Sequence, residues 1–283
     1  MKPVYVKWGL GLILTSITAL VLDALFLEKY YFKVKNYFIG KKGSQKHLKL
    51  LLITDLHFVK YLRPYHKRLA RSINTINPDV LLIAGDLIDY SGELTPAKQF
   101  LSLLNKNIPK LAIAGNHDHK NDVSIGALKK LLSQNKGHLL INETKQIIIN
   151  GELLTITGIE DFIEGKPNLP RALQSVGKAQ SHILLVHSPL QQEMVQQELF
   201  KINLNRSKTD QIDLQYIFAG HNHGGQVRFG KFAPVLPEQS GNYLDGWYNT
   251  SKPYLYVSKG FGTSGVPFRF GARSEIILFH YGV

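Results

Sequence analysis

The 283-residue sequence contains no cysteine, and only 21 acidic residues accompany its 34 lysines and arginines. Without cysteine there is no disulfide framework and no thiolate to act as a nucleophile or a metal ligand. Any bound metal must therefore be held by His, Asp, Glu or Asn. The absence leaves the compartment open, because cysteine-free chains occur on both sides of a membrane.

The shortage of acidic residues gives a formal net charge of +13. Such a surface favours anionic partners, namely phosphates, nucleic acid or acidic lipid headgroups. The excess is uneven, because residues 1–47 contain eight lysines against only Asp23 and Glu28. A hydrophobic content of 44% indicates a globular chain, and its length favours one large domain.

An uncharged apolar run extends from Trp8 to Leu22 and continues past Asp23 as ALFL. About 20 such residues form a helix that spans a bilayer if Asp23 lies near one interface. A cleavable signal peptide is the alternative, but small residues at the expected cleavage positions are hard to find. A buried amphipathic helix fits less well, because the run has no polar face. We favour an uncleaved membrane anchor that either spans the membrane or lies on it.

Lysines and aromatic residues alternate between the apolar run and residue 46, a pattern typical of an interfacial belt on anionic lipid. We therefore predict that residues 1–46 form a membrane anchor with a basic aromatic linker. Five lysines follow the apolar run within about 20 residues, whereas only Lys2, Lys7 and the α-amino group precede it. This asymmetry predicts that the remaining chain, residues 47–283, lies on the cytoplasmic side of a bacterial inner membrane.

From His47 onward, short apolar segments alternate with helical ones. Strands are predicted at 49–54, 79–85 and 110–117, with helices at 64–76 and 96–105 between them. A hairpin with Asn150 and Gly151 at its turn follows. SHILLVHS, LQYIFAGH, PYLYVSKGFG and SEIILFHY predict four further strands. The order of elements predicts an α/β fold with helices on the faces of a sheet.

Five of the predicted strands end in residues that bind metals. The clusters are TDLH at 54–57, GDLID at 85–89, GNHD at 115–118, VHSP at 186–189 and GHNHGGQ at 220–226. A lone Asp or His of this kind is usually a helix cap or a turn residue. The carboxyl ends of strands share one edge of an open α/β sheet, where ligands bind. Together the five clusters therefore predict a metal site.

In this order the five motifs resemble the signature of the calcineurin-like metallophosphoesterases. The C-terminal stretch YVSKGFGTSGVPFRFGARSEI, residues 256–276, resembles the membrane-anchored bacterial phosphohydrolases of the YkuE and YaeI type. That branch includes a chlamydial-type UDP-2,3-diacylglucosamine pyrophosphatase of lipid A synthesis. Asn222 departs from the family pattern, in which Thr or Ser is commoner between the two histidines. The resemblance implies a four-layer αββα sandwich, with residues 47–283 as the catalytic domain of a phosphohydrolase.

The resemblance also implies two divalent metal ions, with Mn²⁺ favoured and Fe or Zn²⁺ as alternatives. The implied ligands are Asp55, His57 and His223 for one ion, Asn116, His187 and His221 for the other, and Asp86 between them. Paired cations lower the pKa of water and meet the charge that develops on phosphoryl oxygens. His117 is implied as the catalytic group that stabilises or protonates the leaving oxygen, with Asp89 or Asp118 orienting an imidazole.

Other residues are less specific. Asp161 is a lone acid after a strand and is interpreted as structural. Arg228, Arg269 and Arg273 offer guanidinium groups for a substrate phosphate, although a solvated charge is the favoured interpretation of each. Five aromatic residues near the C-terminus either pack in the core or contact acyl chains, namely Trp247, Tyr248, Phe261, Phe268 and Phe270.

Three functions remain open. We favour a membrane-bound hydrolase of lipid-linked phosphate compounds, with the pyrophosphate of UDP-2,3-diacylglucosamine as the best substrate and a broad phosphodiesterase or phosphatase as the alternative. A nuclease is disfavoured, because almost half of the positive charge lies in the anchor region and no aromatic-basic groove is evident. A metal-free scaffold of the same fold is also disfavoured, because all seven implied ligands are present.

Overall fold

A computed structural model describes the backbone of residues 2–283 and the side chains from Trp8 onward. Its first sheet has six strands, in the spatial order β1-β12-β2-β3-β4-β5. The strands are β1 (Lys33–Gly40), β2 (His47–Ile53), β3 (Val80–Ala84), β4 (Lys110–Ile113), β5 (Gly137–Leu139) and β12 (Glu275–Gly282). Strands β2 to β5 run parallel, and β12 is antiparallel to β2. All five residues of β3 are buried, which explains its unbroken apolar run.

The second sheet also has six strands, in the order β10-β11-β9-β8-β7-β6. The strands are β6 (Glu143–Ile149), β7 (Glu152–Gly158), β8 (His182–Leu185), β9 (Tyr216–Ala219), β10 (Gly246–Tyr248) and β11 (Tyr254–Val257). Strands β6 and β7 form the predicted antiparallel hairpin, and Asn150 and Gly151 at its turn have positive φ angles of 53° and 85°. Asparagine and glycine tolerate this conformation best.

Helices cover the outer faces of both sheets. Besides α1 (Lys2–Leu22) and α2 (Glu28–Tyr30) of the N-terminal segment, the α-helices are α3 (Pro64–Ile76), α4 (Leu94–Leu103), α5 (Asn116–Lys120), α6 (Ile125–Ser133), α7 (Leu169–Ala172) and α8 (Gln191–Leu204). Leu69, Phe100 and Leu132 pack from α3, α4 and α6 onto the first sheet, while α7 and α8 cover the second. Between the sheets, the rings of Phe218 and Phe279 stack with centroids 4.3 Å apart. The predicted four-layer αββα sandwich is confirmed.

Part of the predicted basic aromatic linker is a β-strand in the structure. Residues 33–40 form β1, which pairs in parallel with β12 along its whole length. Tyr37 and Ile39 pack against the core between the sheets, and Lys35 Nζ lies 2.9 Å from Glu275 Oε2. The alternation of lysines and aromatic residues in this part is therefore a strand pattern. The division of the chain at residue 46 stays a prediction, but the first sheet extends across it.

The N-terminal helix has the length and composition of a membrane anchor over Trp8–Tyr30, and most of its residues are not buried in the protein. Its last turns are a π-helical segment at Asp23–Leu27 and α2. Both contact the C-terminal arm, which is the irregular segment of residues 258–274 between β11 and β12. The Arg269 and Ser274 amides donate to the carbonyls of Ala24 and Glu28, both at 3.1 Å. Arg273 pairs with Asp23 at 3.2 Å. The apolar helix is thus joined to the rest of the chain by specific contacts rather than by a free linker.

Candidate metal centre

The five predicted clusters converge at the carboxyl ends of the strands. Their backbone is unusual, because Asp55, His57, Asp86, His221 and His223 all have positive φ angles, between 46° and 69°. Such angles are uncommon for residues other than glycine, and they concentrate at functional sites. A Cβ atom on Gly220 would lie 2.5 Å from Asp55 Oδ2, so the chain at this point requires glycine.

The first group of predicted ligands is buried and compact. His57 Nε2 lies 3.0 Å from His223 Nε2, which in turn lies 3.6 Å from Asp55 Oδ1. His57 Nδ1 donates to Asp89 Oδ2 at 3.2 Å, so the lone pair of His57 is on Nε2. One ligand atom from each of Asp55, His57 and His223 lies within 4.8 Å of the other two, so the three can share a metal ion.

The second group meets the first at Asp86. His187 Nε2 lies 3.2 Å from Asp86 Oδ2 and 3.1 Å from Asn116 Oδ1. His187 Nδ1 donates to the Ala84 carbonyl at 2.9 Å, which leaves Nε2 available to a metal. His221 Nε2 donates to the Glu238 carbonyl at 2.9 Å and leaves Nδ1 available. Asp86 Oδ2 is also 3.5 Å from His57 Nε2, so it lies between the two groups.

The carboxylates of the site favour a positive charge on His187. Burial by itself lowers the pKa of His187, but the carboxylates of Asp86 and Asp55 raise it well above its ordinary value. Burial by itself raises the pKa of Asp86, yet the imidazoles of His187 and His57 hold it below its usual range. Buried carboxylates and imidazoles, which bind a metal in their neutral form, are a donor set that suits divalent Mn, Fe or Zn. The residues therefore fit divalent metal ions, while the assignment of each ligand to an ion stays a prediction.

His117 lies at the rim of this group, in a pocket of about 200 Å³ that Asp86, Asn116, His221 and His223 also line. Its Nδ1 is 3.3 Å from Asp89 Oδ2, and its Nε2 is 3.3 Å from Ser264 Oγ. Burial by itself lowers the pKa of His117, but the hydrogen bond to Asp89 raises it.

The two acids that were predicted to orient an imidazole have different contacts. Asp89 contacts the rings of both His57 and His117. Asp118 accepts hydrogen bonds from the amides of Leu87, Ile88 and Gly115 instead. Burial and the charge of Asp86 raise the pKa of Asp118 to about 6. Asp89 is therefore the acid in position to orient the histidines, whereas Asp118 organises the backbone.

Arg269 was expected to be a solvated charge, and this expectation is wrong. Its side chain is fully buried, and its Nη2 lies 3.0 Å from His223 Nδ1. Four backbone carbonyls accept its remaining hydrogen bonds, which is how a buried guanidinium is tolerated. Arg228 and Arg273 pair with Asp245 and Asp23 rather than entering the metal pocket.

Asp161 accepts hydrogen bonds from the amides of Ile163 and Glu164, in agreement with a structural role. The Asn222 side chain donates to the carbonyls of Ser240 and Tyr243, on the loop that carries Glu238. Ser264 and Glu238 were not identified from the sequence. Ser264 lies within the C-terminal stretch that resembles the membrane-anchored branch, but no sequence signal marks Glu238.

The five C-terminal aromatic residues lie in different environments. Phe261 is wholly buried in the core and contacts Phe32. Trp247 packs on Tyr37 and Tyr256. Tyr248 packs against Tyr243, and Phe270 packs against Phe229. Of the five, Phe268 lines a cleft beside the metal pocket.

An αββα sandwich with buried imidazoles and carboxylates at its strand ends is the arrangement expected of a metallohydrolase. Residues 48–225 match the family model described as calcineurin-like phosphoesterase. The chain therefore belongs to the calcineurin-like phosphoesterase family.

Among curated relatives, the chain is 28% identical over 237 residues to the metallophosphoesterase YkuE of Bacillus subtilis, covering 82% of this chain and 78% of the relative. It is also 28% identical over 249 residues to a transmembrane protein with a metallophosphoesterase domain from Bos taurus, covering 82% and 52% of the two chains. Among solved structures, the phosphopantetheinyl hydrolase of Mycobacterium tuberculosis matches with a TM-score of 0.42 and 14% identity, covering 78% of this chain and 94% of that one.

Proposed function

We propose that the chain is a two-metal phosphohydrolase that acts on lipid-linked substrates at a membrane surface. Its family supports metal-dependent hydrolysis of phosphoesters. The observation that carries the proposal is the position of Asp86, whose Oδ2 lies within 3.5 Å of His57 Nε2 and 3.2 Å of His187 Nε2. A carboxylate between two groups of ligands is the arrangement that a pair of cations requires.

The residues of the chain have separable roles in this proposal. Asp55, His57 and His223 would hold one ion, Asn116, His187 and His221 would hold the other, and Asp86 would be shared between them. Two bound cations supply an activated water and meet the negative charge of the phosphoryl group. His117 lies at the pocket rim and donates a proton from Nε2 to the departing oxygen. Asp89 accepts the hydrogen bond from His117 Nδ1, so the ring keeps this orientation.

The best substrate in this proposal is UDP-2,3-diacylglucosamine, cleaved at its pyrophosphate to UMP and the lipid monophosphate. Two features support a lipid-linked substrate, namely the apolar helix Trp8–Tyr30 and its attachment to the arm that carries Ser264. The lysine asymmetry around the helix supports a cytoplasmic domain at a bacterial inner membrane. Nucleotide-linked lipids occur on that side, because nucleotides are cytoplasmic.

Release of UMP tests the proposal. We expect the full-length protein in detergent, loaded with Mn²⁺, to release UMP from UDP-2,3-diacylglucosamine, and chelation to abolish this release. Hydrolysis of an aryl phosphodiester without any release of UMP would exclude this substrate but retain the phosphohydrolase. Undiminished turnover after chelation, with metal absent by elemental analysis, would exclude the metal-dependent reaction itself.

A further inference from the structure

An apolar cleft of about 440 Å³ opens directly beside the metal pocket. Its apolar lining consists of Val227, Pro234, Val235, Leu236, Val266 and Phe268. His223, Pro237 and Ser264 line both the cleft and the metal pocket. The two spaces therefore adjoin each other and share part of their walls.

The amide nitrogens of the two amide side chains that line the cleft are already engaged by the protein. Gln226 Nε2 donates to the carbonyls of Ser264 and Val266, and its Oε1 accepts from the Ser264 amide. The Asn222 amide likewise donates to two backbone carbonyls. Neither amide nitrogen therefore has a hydrogen atom left to donate to a ligand. The lining includes no acidic or lysine side chain. A ligand thus meets a mainly apolar surface, which suits hydrocarbon rather than sugar or nucleotide.

The wall of the cleft is joined to the end of the apolar N-terminal helix. Pro267 lies between the lining residues Val266 and Phe268, and its carbonyl accepts a hydrogen bond from Lys29 Nζ at 2.6 Å. Arg269, the next residue after Phe268, donates its amide to the Ala24 carbonyl. At the mouth, Val235 is 78% exposed and Val266 is 43% exposed. Exposed aliphatic side chains at this position are typical of a surface that meets lipid.

We propose that this cleft binds an acyl chain of the substrate while the phosphate of the same molecule lies in the metal pocket. The inference rests on the proposed function for the lipid-linked class of substrate, but not on UDP-2,3-diacylglucosamine in particular. The cleft selects for a hydrocarbon chain close to the reacting phosphorus, and the metal pocket carries out hydrolysis with or without it.

A chain-length series tests the cleft directly. We expect kcat/KM of the full-length, Mn²⁺-loaded protein on p-nitrophenyl alkyl phosphodiesters to rise about tenfold or more from butyl to dodecyl, because each buried methylene adds binding energy. Val235→Asp places a charge at the mouth and should reduce the ratio of the dodecyl to the butyl value about tenfold. Ile148→Asp is the matched control, because Ile148 is 76% exposed on β6 and lies outside the cleft.

If kcat/KM of the unaltered protein did not depend on chain length, the proposal would be overturned. Equal ratios in Val235→Asp and Ile148→Asp would overturn it as well. A rise with chain length that Val235→Asp abolishes would support the cleft even if no UMP appeared from UDP-2,3-diacylglucosamine. In that case the named substrate would fail while the acyl site remained.

A labelling experiment gives a readout that does not depend on turnover. A dodecyl phosphate with a photoreactive group at the end of its chain is mixed with full-length protein in detergent and irradiated. We expect adducts within residues 227–237 or 264–268, and unlabelled dodecyl phosphate should suppress them. Adducts confined to the N-terminal helix or to other surfaces would contradict the assignment.

Discussion

The interior between the two sheets and the edge where their strands end differ in side-chain polarity and in backbone conformation. In the interior, apolar side chains such as Leu50, Leu82 and Phe279 are fully buried within regular strands. At the edge, Asp55, Asp86 and His223 are almost as deeply buried, yet they are polar and have positive φ angles. Burial of ionisable groups and strained backbone both cost stability, and the interior must offset that cost.

The contrast indicates that stability and activity reside in separate parts of the molecule. Substitutions at the strand-end edge should therefore remove metal and activity while the chain remains folded. Substitutions between the sheets should lower the free energy of unfolding while the site keeps its ligands. The four experiments below test this separation, beginning with the largest expected effect.

Removal of the shared carboxylate should have the largest effect. We expect Asp86→Ala to lose both metal ions and to lower kcat/KM about 10³-fold or more. Asp86→Asn is the matched variant, because asparagine tolerates the positive φ and keeps an oxygen for the His117 amide, which donates to Asp86 Oδ1 at 2.9 Å. Elemental analysis and kinetics measure both changes.

The free energy of unfolding of metal-free Asp86→Asn should stay within about 1 kcal/mol of the unaltered value. A variant that keeps both ions and full activity would show that Asp86 is not shared by two metals. A variant that unfolds would show that stability and activity are not separate at this residue.

The reverse experiment targets the interior. Phe279 stacks on Phe218 with an interplanar angle of 5° and is fully buried. We expect Phe279→Ala to lower the free energy of unfolding by about 3–5 kcal/mol, because it removes apolar contact and leaves a cavity. The folded fraction should retain its metal content and its kcat/KM. Urea denaturation gives the stability, and a loss of metal per folded molecule would contradict the separation.

His117 should affect turnover without affecting metal content. We expect His117→Ala to keep its metals and to lower kcat about 10²–10³-fold, because proton transfer to the leaving oxygen is lost. The loss should be larger for an alkyl leaving group than for p-nitrophenolate, which departs without a proton. His119→Ala is the matched control, since His119 lies on the same helix and pairs with Glu160. Equal losses for both leaving groups would exclude proton donation.

Much of the fold could be predicted from local patterns. The helix at Pro64–Ile76 and the hairpin at Asn150–Gly151 follow from an amphipathic period and from turn residues, and the structure has both. Strand β1 was missed because its pairing partner, β12, lies more than 200 residues away in the sequence. A basic aromatic segment gives no local sign of such a partner, so membrane contact was the simpler interpretation.

The site shows the same limit. The sequence motifs identified residues such as Asp55 and His187 because each directly follows a strand, a position that the sequence reveals. The environment of Arg269 could not be predicted, because its burial depends on the tertiary contacts of an irregular arm with His223. Loop residues such as Glu238 act through a backbone carbonyl, which is common to all residue types and leaves no signature in the sequence.

The smallest expected effect concerns a histidine within the sandwich rather than at its edge. His182 at the start of β8 is fully buried, and its Nε2 is 2.7 Å from Thr157 Oγ1. Burial lowers the pKa of this imidazole to about 4. The unfolded chain, with an ordinary histidine pKa near 6.5, therefore binds more protons than the folded one between these two values. Stability is complete above about pH 6.5 and is lost as the pH falls towards 4.

This titration should cost about 2 kcal/mol between pH 7 and pH 5. His182→Gln keeps a hydrogen-bonding group but cannot be protonated, so its free energy of unfolding should fall by about that much less over the same range. Urea denaturation of metal-free protein at both values measures the difference, and the site histidines cancel because both proteins contain them. Identical pH dependence of the two proteins would show that His182 does not contribute to the acid sensitivity of the fold.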